Sequence, residues 1–324
     1  MKRTALIVVT ATVAALSLTA CSDSGSDGAA DGTYEVTYVE GVTGNPFFTS
    51  LTCGAKAEAK KLGVKFSSQG GDQYSPEAQT PVLNAVIAKK PDGIIISPMV
   101  GDAMVTPLTQ AKQAGIKLAF ADTKASDDSL AVSFVASDNY VGGQLAAKTL
   151  AEKIGDKGKV MVLGAQPGIS TTDARQKGFE DEIKKHPGIT YTGVQFSDSD
   201  PAKATSKMSA ALSKDADLAG VFAVSTQEVE GAATAVTQAD RAGKIQLIGF
   251  DTSPPILEAV EAGAVQALIV QKPLEMGQVA VQQLVRSLKG EKTTKVINTD
   301  YVVLDKSNME KPEVNQYIYK TSCS

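Results

Sequence analysis

The chain has 324 residues, 43% hydrophobic and 21% charged, with 32 Lys and Arg against 36 Asp and Glu. This is globular composition with length for two domains, and a net charge of −4 without a basic block argues against a nucleic-acid partner. The single histidine, His186 in "KKHPG", reads as a solvated residue at a helix end, which leaves a His-based metal site or a Ser-His-Asp triad hard to build.

The first twenty residues stand apart. Lys2 and Arg3 precede an apolar run from Ala5 to about Leu18, and Leu18-Thr19-Ala20-Cys21 follows. The run is too short and wrongly flanked for a spanning helix and reads as a secretory signal, residues 1–20. Its small residues before Cys21 resemble a bacterial lipobox, which implies cleavage before Cys21 and lipid on its thiol; the alternative is a plain secreted protein. Residues 22–32, "SDSGSDGAADG", carry no large apolar side chain. They read as a flexible tether of about 18 Å root-mean-square span. Loss of the leader leaves 30 basic against 36 acidic residues, a balance of −6. Cys53 and Cys323 then form a candidate disulfide of an exported protein or two separate thiols.

From residue 33 a short β-rich run alternates with an apolar stripe at helical spacing. "TYEVTYVE" predicts a strand and 47–62 a helix; "VKFSSQ" a strand and 76–90 a helix; "GIIISP" a strand and 102–114 a helix. "IKLAFAD" and "AVSFVASD" are extended, with a helix over 140–154. The alternation continues through "KVMVLGA", "ITYTGVQF", "LAGVFAV", "IQLIGFD" and "VQALIVQ", with helices over 172–185, 202–213, 227–241, 254–262 and 274–289. "DYVVLD" closes as a strand. Regular alternation with continuous apolar strands means parallel sheets covered on both faces. Two doubly wound lobes account for the number of units; a single eight-fold barrel is the alternative.

Ligands of such sheets sit beyond the carboxyl ends of the strands. The residues there, from Gly41–Phe48 through Ser97, Asp122, Ser225–Gln227 and Asp251 to Gln271, are mostly uncharged polar groups with a few carboxylates and an adjacent pair of Phe rings. Neighbouring rings on a helix point about 100° apart, so at least one of Phe47 and Phe48 should face the cleft. No G-x-G-x-x-G and no G-x-x-x-x-G-K-[ST] occurs, so the phosphate-cradling loops are missing and no cofactor is expected; with one His, no metal is expected either. "VGG" at 141–143 reads as close packing at a helix start.

"GNPFF", "DGIIISP", "SDNYVGG", "RQKGF", "IGFD" and "QKPLEMG" occur in one order and at one spacing. Together, over about 33–305, they resemble the periplasmic sugar-binding proteins of ABC transporters, of the ribose-binding type. The resemblance implies two α/β lobes joined by a three-crossing hinge. Lobe one would be 33–136 plus 272–299, and lobe two 137–271 plus 300–319, with 320–324 as a tail able to bring Cys323 toward Cys53. It implies Asn45 as an amide donor to a sugar hydroxyl and Phe47 and Phe48 as ring faces for sugar C–H groups. Asp122 and Asp251 would be acceptors of charge-assisted hydrogen bonds, Arg175 a fork of donors, and Gln271 a hinge contact. Each also has a structural reading: Asn45 and Asp251 as helix caps, the Phe pair as helix-start core, Arg175 as a surface residue.

Ser97, Thr123 and Ser225 complete the expected contacts and depart from the ribose pattern, which has Asn, Arg and, for Ser225-Thr226, Asn-Asp. An aromatic on the second lobe near 196–199 is expected, with Phe196 or a serine in its place. The implied function is capture of a sugar or polyol other than ribose by a monomeric, lipid-anchored protein that hands it to an ABC permease. The alternatives are a receptor subunit for a membrane kinase and, less favoured, an enzyme on the same scaffold.

Overall fold

The computed structural model describes residues 33–323; the secretory signal, Cys21 and the tether lie outside the described residues. The first sheet has the order β11-β5-β4-β3-β1-β2 and the second β12-β10-β9-β8-β6-β7. Its strands are β1 (Glu35–Glu40), β2 (Lys65–Gly70), β3 (Gly93–Ile96), β4 (Lys117–Ala121), β5 (Ser133–Ser137) and β11 (Val296–Thr299). The second holds β6 (Gly158–Gly164), β7 (Ile189–Phe196), β8 (Leu218–Ala223), β9 (Gln246–Phe250), β10 (Ala267–Val270) and β12 (Val302–Leu304). Two separate six-stranded sheets rule out the barrel. Burial explains the apolar runs: Ile94, Ile95 and Ile96 are inaccessible, as are Val221 and Phe222.

Helices α1 (Pro46–Lys61), α2 (Pro76–Lys89), α3 (Val105–Gln113) and α9 (Pro273–Leu288) flank the first sheet. Around the second lie α4 (Asn139–Lys153), α5 (Ser170–Ile183), α6 (Pro201–Lys214), α7 (Thr226–Gln238) and α8 (Pro254–Glu261). Their starts are written locally. Asn45, Ser75, Asp138, Asp200 and Ser253 accept hydrogen bonds from first-turn N–H groups, and Pro follows the cap in α1, α2, α6 and α8. Ser253 caps α8, so Asp251 is not its cap. Helix α3 starts later than the apolar pattern suggests, at Val105, and has no side-chain cap.

The sequence pattern misses two features. β11, "VINT", is short and largely exposed, so it lacks the apolar run of a buried strand. It pairs parallel to β5, whereas β12 lies antiparallel to β10. Only Asp300 and Tyr301 separate β11 from β12. The chain then continues through α10 (Pro312–Asn315), burying Met309, Val314 and Tyr319, and Cys323 is joined to Cys53 of α1 by a disulfide with Cα atoms 5.2 Å apart.

Candidate functional site

The carboxyl ends of the two sheets face one narrow cleft. Asn45, Phe47, Phe48, Asp122, Arg175, Ser225, Asp251 and Gln271 line it, joined by Tyr74, Thr171, Thr172, Thr226 and Gln227. The walls are largely helix N-termini: α1 brings Asn45 and the Phe pair, α5 brings Thr171, Thr172 and Arg175, and α7 brings Thr226 and Gln227. Asn45 does two things at once. Its Oδ1 accepts from Phe47 N–H at 2.9 Å as the helix cap, which leaves its amide N–H groups for the cavity.

Both Phe rings line the cavity and both are nearly buried. They meet edge to face at 5.3 Å, and Phe48 continues to Tyr74 at 6.0 Å. The third ring is therefore Tyr74, from the same lobe. Phe196 is exposed and does not line the cavity, and Ser197 is turned away to Glu228. The aromatic expected on the opposite lobe is thus absent from the lining. Tyr74 follows a polar strand end and carries no local signal beyond its ring.

The two aspartates occupy equivalent places. Asp122 follows β4 and Asp251 follows β9, with φ of 66° and 71°. Each sends its backbone N–H to the neighbouring strand, to Val135 O at 2.8 Å and to Ile269 O at 3.1 Å. Left-handed φ is tolerated by Asp better than by most residues. It turns both carboxylates off their strands into the cavity. Burial pushes the Asp122 carboxyl up to about 7; Arg175 opposes this and Asp251 adds to it. Asp251 is held: Gln271 Nε2 donates to its Oδ1 at 2.8 Å, and Arg175 Nη1 lies 3.8 Å from its Oδ2.

Arg175 is buried, not a surface residue. Its Nε donates to Asn139 Oδ1 at 2.8 Å and its Nη1 to Val224 O at 2.9 Å, and its guanidinium lies 3.9 Å over the Phe250 ring. Asn139 itself is fixed through Nδ2 to Ser137 O. The "SDNYVGG" motif thus supplies the group that orients the arginine. Behind Ser225 sits Glu228, which accepts from Ser197 Oγ at 2.5 Å and from Ser225 Oγ. Burial pushes its carboxyl up to about 7 against those hydroxyls. With its proton directed to Glu228, Ser225 presents an acceptor to the cavity. Gln271 Oε1 is buried without a partner among the described residues and is a further acceptor.

Two expected contacts do not reach the space. Ser97 is fully buried behind it; its hydroxyl donates to Ala121 O at 2.8 Å and accepts from Tyr38 OH at 2.8 Å. Thr123 is fully buried, and its hydroxyl has no partner among the described residues. Neither lines the cavity. Among the described residues no His, Cys, Asp and Glu cluster could hold a metal ion, and no helix is long and apolar enough to cross a membrane.

The sequence profile of the periplasmic binding protein domain matches residues 36–292. The chain is 32% identical over 248 residues to the ribose import binding protein RbsB of Salmonella typhimurium, covering 76% of this chain and 82% of the relative. It is similar in structure to an ABC transporter solute-binding protein from Agrobacterium vitis bound with α-D-tagatopyranose, with a TM-score of 0.87, 38% identity, and coverage of 89% of this chain and 100% of that one. A second solute-binding protein from the same organism, with bound D-fucose, aligns with a TM-score of 0.82 and 30% identity over 88% of this chain and 100% of that one. These relatives are binding proteins of transport systems, not enzymes.

Proposed function

The chain belongs to the periplasmic binding protein family, and from that premise we propose that it captures a neutral monosaccharide or polyol between its two lobes and delivers it to an ABC permease. One observation carries the reading. A single small cavity is walled by hydrogen-bonding groups from both lobes, Asn45 and Asp122 on one side and Arg175, Ser225 and Asp251 on the other, with the Phe47, Phe48 and Tyr74 rings alongside. Polar groups that fix hydroxyls and rings that cover C–H faces together suit a sugar. Contacts from both lobes favour the closed form, so binding and closure are one equilibrium.

The lobes are 33–136 plus 272–299 and 137–271 plus 300–319; the sheet membership of β5, β10, β11 and β12 supports these limits. Lipid on Cys21 holds a monomer off the outer face of the membrane. A disulfide suits that oxidising compartment. Of the departures from the ribose pattern, Ser97 and Thr123 lie behind the wall, so the case against ribose rests on Ser225 and Thr226. The test is mass spectrometry of ligand carried through mild purification, with titration calorimetry against D-tagatose, D-fucose and D-ribose. A hexose is expected to bind at least tenfold more tightly than D-ribose. Ribose as the tightest ligand would overturn the specificity, and loss of no affinity in Asp251→Ala would overturn the site.

A further inference from the structure

The segment after β12 carries no motif of the family pattern, yet it ends inside the binding apparatus. Asp305–Cys323 runs along the second lobe, and its last residues make contacts on both sides of the hinge. Tyr319 N–H donates to Thr252 Oγ1 at 2.9 Å. Its hydroxyl donates to Asp251 Oδ1 at 2.7 Å and accepts from Gln271 N–H at 3.0 Å. Its ring meets that of Phe47 edge to face at 5.6 Å. One residue on, Lys320 N–H donates to Ser50 Oγ of α1 at 2.6 Å, and Cys323 closes the disulfide to the same helix. The side chain does not line the cavity; it sits behind three residues that do, Phe47, Asp251 and Gln271.

We infer that Tyr319 is a positioning residue of the ligand site, held in place by the Cys53–Cys323 disulfide, and that it leaves Asp251 with one oxygen for the ligand. Oδ1 of Asp251 is filled by two donors, Tyr319 OH and Gln271 Nε2. Oδ2 is the oxygen that remains, 3.8 Å from Arg175 Nη1. A carboxylate so fixed offers the ligand this one oxygen. Across the cavity Asp122 receives no hydrogen bond from the protein among the described residues and keeps both oxygens for a vicinal pair. The site then reads one face of the ligand with two acceptors and the other with one, which is a basis for telling epimers apart. The backbone of Gln271, where the chain crosses between lobes, is pinned by the same hydroxyl.

The affinity part of this inference rests on the sugar-binding reading; the part concerning Gln271 does not. The test uses the full mature chain in its oxidised form beside Tyr319→Phe, the Cys53→Ser/Cys323→Ser double variant, and Tyr317→Phe as a control from the same segment. Amide hydrogen exchange at Gln271 is measured without ligand. Exchange at least tenfold faster than wild type is expected in Tyr319→Phe and in the double variant, with Tyr317→Phe unchanged. Calorimetry with D-tagatose, D-fucose and D-ribose should show the tightest sugar weakened about tenfold or more in Tyr319→Phe, since a hydrogen bond to a charged group is lost, and a narrower spread among the three. Wild-type exchange at Gln271 in both variants would overturn the inference, as would faster exchange with affinity and spread intact. If none of the three sugars binds wild type, the choice of sugar fails and Gln271 exchange alone decides the role of Tyr319.

Discussion

At the scale of the residue, Asp122 carries a consequence for pH. An unfolded aspartate titrates near 3.9, and burial raises Asp122 to about 7 in the ligand-free fold. A raised carboxyl destabilises its own charged form. The fold therefore suffers no penalty below about pH 4, loses stability as pH rises through the window from about 4 to 7, and carries the whole penalty above it. Sugar hydroxyls that donate to Asp122 favour the carboxylate. Binding then releases a proton, and affinity climbs from pH 5.5 to about 8 before levelling, by roughly fivefold to tenfold for a bound-state shift of about one unit. Glu228 titrates in the same window, so calorimetry across pH should include Asp122→Asn and Glu228→Gln. The slope should vanish in the first and survive in the second. A flat wild-type profile would exclude proton release at Asp122. The two aspartates were readable from the sequence because each ends an apolar strand. Tyr74 was not, because a lone ring in a loop looks the same whether it lines a cavity or covers a strand. Ser97 shows the converse, since a strand-end hydroxyl reads as a contact until its partners are known.

At the scale of the element, two helix pairs are built alike. A Cβ on Gly54 would lie 2.0 Å from Leu274 O, and one on Gly277 would lie 2.0 Å from Leu51 O. In the other lobe Gly143 meets Arg175 O and Gly178 meets Tyr140 O, each at 2.0 Å. So α1 crosses α9, and α4 crosses α5, backbone against backbone. The α4 and α5 crossing sets how far Asn139 stands from Arg175. Gly178→Ala must push the helices apart, costing about 1–3 kcal/mol as overpacking does, and should strain the Asn139–Arg175 bond. Gly277→Ala should cost similar stability without touching that bond. Melting temperature and calorimetry separate the two: both variants melt earlier, and Gly178→Ala alone loses several-fold in affinity. Equal affinity losses would break the link between crossing and site. "VGG" signalled close packing from the sequence alone. Its partner did not, because a glycine three residues after Arg175 gains meaning only when two helices are seen to share it. The exposed strand β11 and the antiparallel direction of β12 escaped for a related reason. Each is fixed by the distant strand it pairs with, β5 for β11 and β10 for β12, and not by its own residues.

At the scale of the whole molecule, the strand-helix alternation made two doubly wound lobes legible, but not the contacts that hold them together. Two of those contacts start from backbone N–H groups. Gly101 N–H donates to Gly168 O at 3.2 Å, and Lys124 N–H donates to Ser170 Oγ at 3.1 Å, each from the first lobe to the second. Val100, beside them, holds a φ of 48°, which β-branched residues seldom adopt, with its Cγ1 against Gly168. Ser170 begins α5 but spends its hydroxyl on the opposite lobe instead of capping its own helix. It does not line the cavity. Ser170→Ala therefore removes a bond made only when the lobes are closed, and touches no ligand. The open form gains weight, and apparent affinity falls by the fraction of closed protein lost. One neutral hydrogen bond is worth about 0.5–1.5 kcal/mol, so affinity for any bound sugar should drop about two- to tenfold, by the same factor for each. Solution scattering should show a larger radius of gyration for the ligand-free variant and the wild-type value at saturation. A loss that differed from sugar to sugar would place Ser170 in the site itself, and an unchanged affinity would show that the latch contributes nothing to closure.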